Sequence, residues 1–213
     1  VIGCHWGQSS NMMNLIMENK IEAFNLPQGQ MANMFHSMAL REPGKLSKVG
    51  IGTYIDPRIE GGKMNQAARD SGYDTVAIVE VDGEEYIQYK PIPIDTLLIR
   101  GTYADENGNI STEREAMVLE ILPAVMATKR WGGKVICQVE QIVENGTIPP
   151  KDVIVPGVLV DTIVVCENPI EDHRQTYSWY FDPSYSGQIR VPQKSLEVLP
   201  TDVRKIIARR AMA

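Results

Sequence analysis

Residues 95–143 read DTLLIRGTYADENGNISTEREAMVLEILPAVMATKRWGGKVICQVEQIV, and this stretch decides the fold. Asp95–Tyr103 carries Leu97, Leu98 and Ile99 in one apolar run, the pattern of a strand buried in a parallel sheet. Asn107-Gly108-Asn109 supplies a turn. Glu113–Trp131 carries the strongest helical pattern, with glutamates in its first turn, Lys129 and Arg130 in its last, and Gly132-Gly133 as its stop. Pro123 is its one discordant residue and predicts a kink. Lys134–Val143 is rich in Val and Ile and returns as a second buried strand. Apolar strands alternating with helices imply an α/β domain, an open and mostly parallel sheet flanked by helices.

The pattern extends in both directions. Downstream, a proline-broken connection over residues 145–156 leads to another buried strand, Val158–Cys166. Upstream, Val76–Val81 and Glu84–Tyr89 flank Asp82-Gly83, a strong hairpin signal. Lys48–Tyr54 reads as a strand, followed by the turn-rich loop Asp56-Pro57-Arg58-Ile59-Glu60-Gly61-Gly62. Ser10–Asn19 and the Met-rich Gly29–Leu40 read as helices, with a short strand at Ile21–Leu26 between them. Residues 167–200 turn polar and proline-rich, as a linker does, and 201–213 has a helical stripe that Thr201 can cap. The expected division is a first domain over 1–166, a linker over 167–200 and the opening helix of a second domain over 201–213. A chain that opens in a strand and stops in a helix is expected to be part of a longer protein, without the first domain's opening strands.

Composition narrows the function classes. The 213 residues are 43% hydrophobic and 23% charged, with a net charge of −6. A chain of this length buries roughly 70% of its unfolded surface, so no staples are needed, and its near-average apolar and charged fractions argue against wholesale disorder. The acidic balance argues against nucleic acid and anionic membrane surfaces as partners. Cys4, Cys137 and Cys166 are few and far apart, which reads as free thiols in a cytoplasmic protein. No apolar run approaches the roughly 20 residues that span a bilayer.

Several motifs fail. Gly50-Ile51-Gly52-Thr53-Tyr54-Ile55 lacks the third glycine of a dinucleotide fingerprint. No phosphate-cradling loop, no Gly-x-Ser-x-Gly elbow and no zinc-spaced ligand set is present, so no metal is expected. What remains is three glycine-rich turns at strand ends: Pro27-Gln28-Gly29, Gly50-Ile51-Gly52-Thr53 and Glu60-Gly61-Gly62-Lys63. Ligands of open α/β sheets bind beyond strand carboxyl ends, where bare backbone amides can face developing negative charge. Gln28 adds a side-chain donor for an oxyanion.

The wording of "NLPQG", "VGIGTYIDPRIEGGK", "PIDTLLIRGTYADENGNIS" and "GGKVICQVEQIVENGTIPPKDVIVPGVLVD" resembles family I CoA-transferases. The resemblance is greatest to single-chain propionate or acetate (acetoacetate) CoA-transferases of short-chain acid and ketone body metabolism. It runs from His5-Trp6-Gly7 to Arg190-Val191-Pro192, nearly the whole chain. It implies exchange of CoA between an acyl-CoA and a free short-chain carboxylic acid through a covalent glutamyl-CoA thioester. CoA is then a substrate and no tightly bound cofactor is implied. It further implies a site between two similar domains, and self-association. Carried over by residue, Gln28 and Gly29 match the Pro-Gln-Gly turn of the catalytic floor. Gly50, Gly52 and Thr53 match the glycine loop facing the cleft. Glu60, Gly61 and Gly62 match the loop walling the acyl pocket. The nucleophilic glutamate belongs to a Gly-x-Gly-x-Pro-Glu-Gly-type segment of the second domain, which this sequence does not contain. Two alternatives stand beside this reading: a non-catalytic subunit completing a partner's site, and an acyl-CoA hydrolase on the same fold.

Overall fold

The computed structural model describes residues 1–212. The chain opens with β1 (Ile2–Gly3), α1 (Ser10–Met17), β2 (Phe24–Asn25), α2 (Gln28–Ala39) and β3 (Lys45–Ser47). After a long loop come α3 (Gln66–Asp70), β4 (Val76–Val81), β5 (Glu84–Tyr89), β6 (Thr96–Arg100), β7 (Tyr103–Asp105) and β8 (Ile110–Ser111). Then follow α4 (Ile121–Arg130), β9 (Lys134–Val139), β10 (Gln141–Val143), β11 (Val153–Val155), β12 (Thr162–Val165), α5 (Pro169–Asp172) and α6 (Val203–Ala211).

This is an α/β architecture with parallel sheets flanked by helices. β9 pairs in parallel with β6 on one side and β12 on the other, in the registers Leu97↔Val135 and Ile163↔Cys137. β1 and β2 also pair in parallel, with Gly3 opposite Asn25. The β4–β5 hairpin forms with the expected limits and is extended by β3 into an antiparallel sheet. A mixed sheet of order β10-β7-β8-β11 completes the set.

Alternation along β9 decides what α4 covers. Val135, Cys137 and Val139 are fully buried and pack with Val125 of α4. Burial pushes the Cys137 thiol up to about 12, so it is a protonated, inert core group. Met34 and Met38 of α2 pack in turn on Ala127 of α4, with Phe35 and Ile94 against them.

Several local readings are corrected. The helix expected over 113–131 begins at Ile121. Leu119 sits at φ +47, a left-handed conformation no helix continues through, and the backbone N–H of Arg114 is drawn to Thr102 Oγ1. Pro123 therefore falls in the first turn, where its missing N–H costs nothing, and no kink is needed. The strand expected over 48–54 is instead a series of turns, because Gly50 and Gly52 take positive φ. Residues 157–159 form a 3₁₀ turn, so the last parallel strand starts at Thr162. At the end of the chain Asp202, not Thr201, caps α6, accepting from the Lys205 N–H at 2.7 Å. Gln175, Tyr180 and Gln188, in the stretch expected to be a linker, hydrogen-bond back to Arg114, Glu140 and Glu113. Among the described residues no helix is long and apolar enough to cross a membrane.

Ile87 is fully buried in β5, opposite Ser47 on one side and Ile78 on the other. Ile87→Ala is expected to lower the unfolding free energy by about 2–5 kcal/mol. Urea denaturation should show a lower midpoint with an unchanged slope.

Candidate functional site

The parallel pair β1–β2 ends at Asn25, and the Leu26 N–H still donates to the Gly3 carbonyl at 2.8 Å. Pro27 then fixes an extended backbone (φ −62°, ψ 128°) and α2 starts at Gln28. The Pro27 carbonyl accepts from the N–H groups of Gln30 and Met31. The amides of Gln28 and Gly29 precede these, in the part of the helix whose N–H groups have no intrahelical acceptor. Both residues are exposed, and a Cβ placed on Gly29 would meet nothing within 4 Å. Here the glycine leaves open space in front of the helix start.

The loop over 48–63 is built around one carboxylate. Asp56 is 1% exposed. Its Oδ2 accepts from the Gly52 N–H at 2.9 Å, and its Oδ1 accepts from the Arg58 N–H and Nε, both at 3.0 Å. Arg58 Nη2 closes the fork at 2.9 Å and Nη1 reaches Glu85 of β5 at 2.8 Å. The backbone carbonyl of Asp56 accepts from Ile59, Glu60 and Gly61 N–H groups. The Arg58 guanidinium, helped by the Gly52 N–H, holds the Asp56 carboxyl well below the usual carboxylate range. Asp56 in turn pushes the Arg58 guanidinium up.

The three predicted turns meet through their backs. Gly50, at φ +99, lies against Tyr89 and Ile55: a Cβ there would sit 2.9 Å from Tyr89 Oη and 3.1 Å from Ile55. Tyr89 donates to the Val49 carbonyl at 2.7 Å, and burial pushes its phenol up to about 12. The Gly62 N–H donates to the Tyr54 carbonyl at 2.9 Å, and the Gly62 carbonyl accepts from Asn25 N–H at 2.8 Å. Leu26, Ile55 and Tyr89 share one buried cluster. The Pro-Gln-Gly turn, the glycine loop and the Glu-Gly-Gly loop are thus fixed relative to one another.

The predicted residues do not all present the same kind of surface. Gln28, Gly29 and Gly52 are exposed and Gly50 is half-buried. Thr53 is exposed, but its hydroxyl donates to the Gly50 carbonyl at 2.8 Å and so closes its own turn. Glu60 is exposed and pairs loosely with Arg69 at 3.4 Å. Gly61 and Gly62 are buried backbone. A cleft of about 600 Å³ lies elsewhere, over β6 and β9, lined by Leu98, Ile99, Arg100, Glu115, Ile121 and Gln138 among others. None of the predicted site residues lines it. Among the described residues no group of three or more His, Cys, Asp and Glu side chains is arranged to hold a metal ion. Sequence reasoning passed over Asp56 and Arg58, which organise the glycine loop. The available signal was an Asp four residues after Gly52 in a turn-rich run, the spacing from which a short carboxylate can cap backbone N–H groups.

Residues 1–166 match the family described as Coenzyme A transferase. The chain is 42% identical over 207 residues to a caffeate CoA-transferase from Acetobacterium woodii, covering 97% of this chain and 39% of that protein. It is 39% identical over 209 residues to the acetate CoA-transferase YdiF of Escherichia coli O157:H7, covering 98% of this chain and 38% of the relative. The structure of the E. coli acyl-CoA transferase YdiF in a thioester complex with CoA matches with a TM-score of 0.85 at 37% identity, over 99% of this chain and 41% of that one. The chain therefore spans about two fifths of the length of these relatives.

Asp56→Asn is expected to loosen the glycine loop and lower stability at neutral pH. The folded-state carboxyl titrates below its unfolded value, so its contribution is complete above the ordinary Asp value, about 3.9, and is lost as pH falls below it. Urea midpoints of wild type and variant should differ at pH 7 and converge on acidification. A gap independent of pH would remove the carboxylate's charge from the account.

Proposed function

The chain belongs to the coenzyme A transferase family, and from that premise we propose that it forms the first-domain half of a site that moves CoA from a short-chain acyl-CoA to a free carboxylate such as acetate. A glutamate of a second, similar domain attacks the acyl-CoA carbonyl carbon, and the tetrahedral intermediate expels CoA as thiolate. The thiolate then attacks the glutamyl carbonyl of the mixed anhydride, releasing the donor acid and leaving a glutamyl-CoA thioester. An acceptor carboxylate reverses both steps, and the glutamate is regenerated. CoA is a substrate in this scheme, the acyl-CoA and the acid are the small-molecule partners, and the assembled enzyme self-associates.

Each tetrahedral intermediate carries an oxyanion, and this chain's task is to meet it. The Gln28 side-chain N–H and the backbone amides at the start of α2 donate to that oxygen. Such preorganised donors gain most when water is excluded, as it would be between two domains. Gly50, Gly52 and Thr53 face the cleft as a loop held by Asp56, and Glu60, Gly61 and Gly62 wall the acyl pocket. The observation that carries this reading is the position of Gln28 and Gly29: exposed, at a helix start, beyond the carboxyl end of a parallel strand pair and fixed to both glycine loops. The relatives' names, an acetate and a caffeate CoA-transferase, agree on a carboxylic acid and differ in its bulk.

In the assembled two-domain enzyme, Gln28→Ala should lower kcat by about 10²–10³, the usual cost of one lost oxyanion donor, with unchanged circular dichroism and melting temperature. Wild-type turnover in that variant would end the role. Hydroxylamine or borohydride should trap a glutamyl-CoA adduct on the assembled enzyme and none on this chain alone, and product CoA should depend on added acid. Release of free CoA without an acceptor acid would point to hydrolysis instead.

A further inference from the structure

Residues 173–188, whose composition reads as a linker, are tied to the loop Glu113-Arg114-Glu115 at two charged nodes. At the first, Arg114 Nη1 pairs with Glu140 Oε2 at 2.9 Å, and the guanidinium carbon lies 4.8 Å from the Tyr180 ring centroid and 4.4 Å from that of Phe181. Tyr180 Oη donates to the same Glu140 oxygen at 3.1 Å. Gln175 Nε2 donates to the Arg114 carbonyl and Gln188 Nε2 to the Glu113 carbonyl, each at 2.9 Å. At the second, His173, 1% exposed, meets Glu115 at 3.1 Å, while Arg100 pairs with Glu115 at 3.2 Å and donates to the Arg174 carbonyl at 2.9 Å.

We propose that Arg114 is a positioning residue: it docks residues 173–188 as a strap and so fixes the point and direction from which the chain leaves toward the domain that carries the nucleophile. The proposal rests on the two-domain reading above. Stability alone does not account for this arrangement. The Arg114 and Glu140 side chains are 22% and 9% exposed, and Arg114 Nε is buried without a partner among the described residues. Desolvated pairs of this kind gain little over apolar packing of the same volume, and what they add is register. Arginine suits the role because its planar head lies on two aromatic rings while it keeps an ion pair, which a lysine ammonium reproduces only in part. The platform is itself fixed: the Arg114 N–H donates to Thr102 Oγ1 and the Glu140 N–H to the Thr102 carbonyl, each at 2.9 Å. Both halves of the ion pair therefore hang from one residue.

The test has two readouts. Hydrogen exchange on the assembled enzyme should show the amides of residues 175–188 exchanging about tenfold faster or more in Arg114→Ala, with the β4–β5 hairpin unchanged and Arg114→Lys in between. In the assembled enzyme, the same variant should lose about 10²-fold in kcat, the scale of a small misplacement of reacting groups, with KM within about twofold. Should Arg114→Ala fail to fold, the double variant Tyr180→Leu, Phe181→Leu releases the strap from its own side, with the same expectations. Unchanged exchange overturns the docking role, and faster exchange with wild-type kcat overturns the positioning role. An assembled wild type that transfers no CoA would defeat the two-domain reading, and the exchange result would then stand as the test of docking alone.

Discussion

The structure depends on the parallel pairing of β9 with its two neighbours. Asp161, at the start of β12, holds that arrangement together: its carboxylate accepts from Lys129 at the end of α4 and from the Val135 N–H at the start of β9. The return from α4 into β9 passes through Gly133, where a Cβ would lie 2.2 Å from the Ile94 carbonyl oxygen. Only glycine lets this return pass so close to the backbone that leads into β6. Once β9 is set, Val135 and Cys137 seat α4, α4 seats α2 through Ala127 against Met34 and Met38, and α2 carries Gln28 at its far end. The candidate site is the last link in a packing sequence that begins in the sheet.

Two segments without regular secondary structure are held in place by devices that differ in physics. The glycine loop is fixed by a short acid accepting backbone N–H groups, a local bond network within a few residues of Asp56. The strap over 173–188 is fixed by long side chains reaching 26 residues from Arg114 to Glu140 and 40 from Glu140 to Tyr180. The first sets where backbone amides point. The second sets where a whole segment runs.

Much of the fold was legible in the sequence for the same physical reason. The strands around Leu97–Ile99 and Val135–Val139 announce themselves by their apolar runs, although β6 is not the buried strand expected, since Leu98 is 73% exposed; the Asp82-Gly83 hairpin does so because its turn needs positive φ. The glycine turns were legible as turns and, by resemblance, as candidate site residues. What was not legible depends on contacts distant in sequence. Glu113 and Glu115 look like a helix's acidic first turn, yet Glu115 is claimed by Arg100 and His173, 15 and 58 residues away. Leu119's left-handed backbone has no signal in a leucine. Residues 167–200 look like a linker because their prolines and polar side chains are visible and the partners of Gln175 and Tyr180 are not.

The burial of Gly62 has a consequence for how its loop can change by mutation. A side chain there would press its Cβ to 2.9 Å from the Asn25 carbonyl oxygen at a φ of +74, so position 62 is closed to point mutation. A buried stretch of main chain at that spot cannot be enlarged or narrowed one residue at a time. Any change of shape beside this loop must therefore enter through side chains of other elements, because the main chain here leaves no room for one.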